Sequence, residues 1–227
     1  MALLRTSLVI WFVAALVGCA DSGGQTLVVL NNAVPDEGCV VAPSEGGLFL
    51  PSGRIDAVGV TERGSSVGYL ITPTIKNLAD SQDDALTTER TVILQGAKID
   101  LVVGTHADGT ALLSDAEIAD LNRLNQLKFT APFSGAIEPD GGLVGIAFEL
   151  VPRGVIAAIG PKLATQETAL ITASFAVFGR TISGSGVEAD AFVYSISVCN
   201  GCLFTDLGSC LGIPDQTYPG GGACNLF

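Results

Sequence analysis

Ala169–Thr181 reads ALITASFAVFGRT, and Ala189–Val198 reads ADAFVYSISV. In the first run Ile171, Ala173, Phe175 and Val177 fall at every second position. In the second, Phe192, Tyr194, Ile196 and Val198 do the same. A period of two marks a strand with one buried face, because successive side chains of an extended chain point to opposite sides. Ser183-Gly184-Ser185-Gly186 separates the runs, and Gly and Ser are residues of tight reversals. The pair predicts a hairpin.

The same pattern extends to either side. Thr91–Val103 is the longest other strand, with a change of phase. Val92 and Leu94 share a face before Gly96; Ala97, Ile99, Leu101 and Val103 share one after it. A one-residue slip at a glycine predicts a β-bulge. Leu143–Val151 sets Val144, Ile146, Phe148 and Leu150 on one face. Tyr69–Lys76 alternates around Pro73, which predicts an edge strand or a break. Phe129–Ala136 has strand character around Pro132, and Thr26–Leu30, Cys39–Val41, Leu48–Leu50 and Ile55–Val60 are short strand candidates.

Helical signals are few. Ser114 and Glu117 fit a capping box ahead of Ile118, Leu121 and Leu124. Pro152 and Gly160-Pro161 bracket a turn or two of helix over Val155–Ile159. Parallel β/α packing needs a crossover helix between strands, and those are missing. The expected fold is all-β: an antiparallel β-sandwich, immunoglobulin- or fibronectin-like, with one or two short helices. Its core should include Ile99, Leu101, Ile146, Phe148, Phe175, Val177, Phe192, Tyr194 and Ile196.

The N-terminus gives an address. Arg5 is the only charge before Asp21, and Leu8–Val17 is an apolar run of ten residues. That is the layout of a secretory signal, too short to span a bilayer. Leu16-Val17-Gly18-Cys19 follows and resembles the lipobox of bacterial lipoproteins. The resemblance implies cleavage before Cys19 and acylation of its thiol and amino group. An ordinary cut after Ala20 is the alternative. Ala20, rather than Asp, after the Cys favours the outer membrane. The expected organisation is a signal peptide over residues 1–18, a tether over 19–25, a β-sandwich over 26–198 and a Cys-rich tail over 199–227.

The chain has 227 residues, with 11 basic and 23 acidic side chains. This length suits one large all-β domain or two small ones. The acidity argues against nucleic acid and against adsorption on anionic lipid headgroups. No second hydrophobic span, phosphate loop or repeat is present.

Cys39, Cys199, Cys202, Cys210 and Cys224 remain besides Cys19. The segment after Val198 is rich in Gly and Pro and has little to pack, which predicts disulfides in an oxidising compartment. At least two of Cys199, Cys202, Cys210 and Cys224 should be bonded, with a bridge tying the tail to the end of the last strand. Cys39 is the candidate odd thiol. Cys199-Asn200-Gly201-Cys202 also admits metal or redox chemistry. It leads from a strand into coil, unlike a thioredoxin-type motif, and it lacks the second CxxC of a zinc knuckle pair.

Other stretches carry residues of chemical interest. Gly64-Ser65-Ser66-Val67-Gly68 matches G-x-S-x-G, with His106 downstream, and is the basis of an alternative serine hydrolase reading. A nucleophile elbow needs a strand before the Ser and a helix after it; here a strand follows. His106 is the only histidine, set in a polar turn where solvation is the simple expectation, and without a second His or a nearby Cys it predicts no metal site. The acidic groups Asp80, Asp83, Asp84, Glu89 and Asp108, Asp115, Glu117, Asp120 do not follow the calcium-loop order.

Lipobox, acidic β domain and Cys-rich tail together resemble uncharacterised cell-envelope lipoproteins of Gram-negative bacteria. The resemblance implies an envelope location and carries over no functional residue beyond Cys19. The expectation is a non-enzymatic, membrane-anchored protein with a binding or structural role. Its partners would be the membrane, through the lipid, and an envelope protein or glycan. No cofactor is expected.

Overall fold

The computed structural model describes residues 26–34, 42–61, 68–80, 88–106 and 108–203. Among these the order is β1 (Leu27–Asn32), β2 (Ser52–Asp56), α1 (Ala57–Thr61), β3 (Tyr69–Ile71), β4 (Pro73–Asn77), β5 (Val92–Val103), α2 (Asp115–Arg123), β6 (Lys128–Ile137), β7 (Leu143–Gly145), β8 (Phe148–Val151), α3 (Arg153–Ile159), β9 (Thr168–Thr181), β10 (Gly186–Glu188) and β11 (Phe192–Cys199). The protein is mostly β, and its sheets are largely antiparallel. The largest runs β2-β11-β9-β5-β6, with β10 also on β9; β1-β4-β7 and β3-β8 are smaller.

The β9–β11 hairpin is the spine. Phe192 faces Phe175 across the ladder, and Cys199 faces Thr168. β10 pairs with Phe178–Arg180 of β9, so the return strand comes in two pieces. β5 lies on the other side of β9, and its register with both β9 and β6 shifts between Leu94 and Gly96. This is the bulge that the change of phase predicts. A side chain at Gly96 would put its Cβ 2.6 Å from the Ala131 carbonyl oxygen, so the strands approach closely there. Pro132 sits in the edge strand β6 opposite Gly96, where its missing N–H costs the ladder least.

Pro73 does break its segment: β3 pairs with β8, whereas β4 pairs with β1 and β7. The Leu143–Val151 run divides in the same way, into β7 and β8. Ile55–Val60, expected as a strand, is not one. β2 ends at Asp56 and α1 begins at Ala57, because Asp56 Oδ1 accepts the Val58 N–H at 3.0 Å and turns the chain. β2 also runs parallel to β11, an exception to the antiparallel expectation. The capping box of α2 is present, Ser114 and Glu117 each accepting from the other's backbone N–H. Leu121 is buried, but Leu124 at the helix end is exposed. Cys39–Val41 lies outside the described residues, and among those described Leu48–Leu50 contributes a single bridge, Phe49 to Ala33.

One hydrophobic core joins the inner face of the large sheet to β1, β3, β4, β8, α1 and α3. Ile99, Leu101, Phe148, Phe175, Val177, Tyr194 and Ile196 are buried in it; Ile146 and Phe192 are only half-buried and pack on its margin. Phe175 is the aromatic hub, with Phe148 at 5.5 Å edge-on and Phe192 at 5.4 Å.

A buried polar link ties the sheets together. Asn32 Nδ2 donates to Tyr194 Oη at 2.8 Å, Tyr194 Oη lies 3.3 Å from Tyr69 Oη, and Asn32 Oδ1 accepts the Thr72 N–H at 3.0 Å. Burial raises the pKa of both phenols, so both stay neutral and able to donate. Tyr194→Phe would leave the Asn32 amide without its acceptor. The expected cost is about 1–3 kcal/mol in urea unfolding, and a variant as stable as the parent would show the link to be idle.

Candidate functional site

The register of the large sheet brings several chemistry-bearing side chains to one end. β2 and β11 finish side by side, Asp56 against Cys199. β9 starts there, with Thr168 against Cys199, and β5 ends there, with Val103 against Ile171. The segments leaving these strands carry Cys202, Glu167 and His106.

Asp56 is the centre of this end and is 4% exposed. Its Oδ1 accepts Gly201 N–H at 2.9 Å as well as Val58 N–H, and its Oδ2 accepts Leu203 N–H at 2.8 Å. A buried carboxylate is costly unless its lone pairs are filled, and three backbone amides fill them here. Asp56 therefore shapes the turn that leaves β11. Cys199 and Cys202 in that turn lie at disulfide-bonding distance, with Cα atoms 5.9 Å apart. Cys199 is fully buried, its Sγ 3.5 Å from the Ile55 carbonyl oxygen, and Cys202 is half-buried. Asn200 between them is pinned as well. Its side chain donates to Leu163 O at 2.8 Å, its N–H donates to Glu167 O, and its carbonyl accepts the Gln166 N–H.

Asp56, Cys199 and Cys202 place one oxygen and two sulfurs within 4.8 Å of one another, a grouping that could hold a metal ion once the sulfurs are thiolates. A closed disulfide offers no thiolate.

Glu167 links this turn to His106. His106 Nδ1 lies 2.7 Å from Glu167 Oε1, and Glu167 Oε2 accepts the Ala164 N–H at 2.8 Å. The carboxylate can only accept, so Nδ1 carries the hydrogen. His106 is thus not a solvated loop residue, as its polar surroundings suggest in sequence; it is 23% exposed and paired. Asp108 and Thr110 join the pair in lining an open hollow of about 410 Å³.

These carboxyls make this part of the fold acid-sensitive. The His106 hydrogen bond, then the Ala164 amide, hold Glu167 below the ordinary carboxylate range. Lys162, then the Ser114 amide and hydroxyl, pull Glu117 down to about 2. Both release their protons more readily folded than unfolded. Their stabilisation is therefore present above the ordinary value of 4.5 and lost as pH falls through the lowered folded values. Urea midpoints should fall as pH drops from 4.5 towards 2, and Glu117→Gln with Glu167→Gln should flatten that slope. An unchanged slope in the double variant would contradict the assignment.

Of the residues singled out in sequence, Cys19, Cys39, Cys210, Cys224, Ser66, Asp83 and Asp84 lie outside the described residues. The surroundings of Ser66 bear on the elbow all the same: the helix α1 precedes that segment and the strand β3 follows it, the reverse of the order an elbow needs. The second acidic group does not converge. Asp108 bonds Thr110, Glu117 pairs with Lys162 and Asp120 with Arg123. Asp56 and Glu167 carry no motif. Asp56 falls inside Ile55–Val60, which its sequence marks as a strand candidate and nothing more.

The opposite end of β11 opens on a second feature. Phe192 begins that strand, roughly 23 Å from Cys199 at a strand rise of about 3.3 Å per residue. Leu30, Asn31, Asn32, Glu45, Phe49 and Phe192 are among the residues lining a cleft of about 560 Å³ there. Phe49 is 57% exposed. Asn31 Nδ2 donates to Ser44 O at 3.4 Å, and its Oδ1 is buried with no partner among the described residues. Apolar rings beside a few directed amides are the usual make-up of a small-ligand cleft.

No protein-family model matches the chain, and no curated protein or solved structure matches it either.

Proposed function

We propose that the chain is a membrane-anchored, non-enzymatic envelope lipoprotein, acylated at Cys19, whose β domain binds an envelope protein or a glycan. The anchor rests on Leu16–Cys19 directly after a ten-residue apolar run. The cysteine pair at bonding distance supports an oxidising compartment. For the domain we propose the two-layer sandwich, the small sheets covering the inner face of the large one. Its support is the contact of Phe148 in β8 with Phe175 in β9 within a continuous core.

The observation that carries the binding role is the cleft of Phe49, Phe192 and Asn31 at the end of the sheet. Exposed aromatic area beside a buried acceptor that has no partner among the described residues suits an amphipathic surface such as a sugar ring or a partner loop. Connecting segments at sheet ends are also where binding residues concentrate.

The anchor and the cleft are tested separately. Cys19→Ser should lose the acyl mass and release the protein from the membrane fraction; unchanged fractionation would sink the anchor. A photo-crosslinking residue at Phe49 should capture envelope material in intact cells. The same residue at Leu124, also 57% exposed, should not. Equal capture at both positions would remove the cleft from consideration.

A further inference from the structure

We infer that Cys199 and Cys202 form a reversible dithiol–disulfide site, with Cys202 as the attacking and attacked sulfur and Cys199 as the resolving one. The chemical class of its partner is a protein or small-molecule dithiol, or the corresponding disulfide.

Two observations carry this. The first is that the turn holds its shape by other means. Gly201 and Leu203 are bonded to Asp56, and Asn200 is bonded to Leu163, Gln166 and Glu167. A structural staple stabilises chiefly by closing a long loop of the unfolded chain. This bond spans three residues of a turn that hydrogen bonds already fix, so opening it leaves both sulfurs in place and facing each other. The second is the asymmetry of access. Cys199 is fully buried against Ile55, and Cys202 is half-buried. Exchange proceeds by attack of a thiolate along an open approach to one sulfur, and only Cys202 offers that approach.

The exchange balances as follows. A partner thiolate attacks Cys202 Sγ, the Cys199–Cys202 bond breaks, and Cys199 leaves as a thiolate that takes a proton from water. The partner's second thiolate attacks its own sulfur in the mixed disulfide and releases Cys202, which is protonated in turn. The partner dithiol becomes a disulfide, the protein disulfide becomes a dithiol, and two electrons and two protons change hands. The reverse sequence oxidises Cys199 and Cys202 at the expense of a partner disulfide.

The test uses the full chain in buffers of reduced and oxidised dithiothreitol, with acid quenching, alkylation and peptide mass spectrometry. Cys199 and Cys202 should titrate together as one two-electron step while the far-ultraviolet circular dichroism stays unchanged. In the fully reduced native protein Cys202 should alkylate at least about tenfold faster than Cys199. Cys199→Ser should accumulate a mixed disulfide with glutathione at Cys202, since nothing resolves it. Loss of the β spectrum on reduction would show a staple instead. Equal alkylation rates, or Cys202 bonded to Cys210 or Cys224 in the unreduced protein, would likewise overturn the proposal.

Discussion

Phe175→Ala is expected to destabilise the domain by about 3–5 kcal/mol. Phe175 is 1% exposed at the middle of β9, opposite Ile99 in β5 and Phe192 in β11. Removing the ring takes away its burial and opens a cavity that the rigid ladders on both sides cannot close. It also removes the edge-on contact with Phe148, part of the link between the large sheet and β8, and such ring pairs add about 0.5–1.5 kcal/mol beyond their area. Val193→Ala is the matched control. Val193 is 62% exposed, and its loss should stay within about 0.5 kcal/mol. Urea unfolding monitored by circular dichroism measures both. A loss under about 1 kcal/mol for Phe175→Ala would mean that the core is not centred on this face.

Asp56→Ala should cost about 3–4 kcal/mol, for a different reason. The substitution strands the Val58, Gly201 and Leu203 amides at once, and an orphaned buried donor costs about 1–3 kcal/mol. Water can reach the half-buried Gly201 and Leu203 and recover part of this, which keeps the sum below three full penalties. Asp56→Asn retains one carbonyl oxygen and should lose about half as much. By comparison, the chain-entropy model gives a four-residue disulfide ring about 2 kcal/mol at most. The carboxylate, more than the sulfur bond, then holds the end of β11. Asp56→Ala as stable as the parent would contradict this, and so would a reduced protein that unfolds while Asp56 is intact.

The spine of the fold was legible because its strands bury one face only. Alternation at Ile171–Val177 and Phe192–Val198 places β9 and β11, and the change of phase at Gly96 places the bulge. The capping box at Ser114 and Glu117 marks α2 because both halves of that motif are local. Alternation failed where partners change. Leu143–Val151 keeps its period across Ile146 and Ala147, yet its two halves serve different sheets, and no local rule encodes which neighbour a strand takes. The parallel pairing of β2 with β11 is hidden for the same reason.

At the site, the cysteines stood out by type and spacing. Their supports did not. Asp56 lies 143 positions before Cys199, and Glu167 lies 61 positions after His106, so only the assembled sheet shows that they meet. The exposure of Cys202 against the burial of Cys199 is likewise a tertiary property.

The mass of the protein extracted from its membrane without reduction tests the anchor and the cysteine pair together. The predicted result is a chain that begins at Cys19 and carries acyl groups, with Cys199 and Cys202 recovered in one peptide that is two mass units lighter than its reduced form. A chain that retains Met1, or begins at Asp21 without lipid, with both cysteines as free thiols, would contradict it.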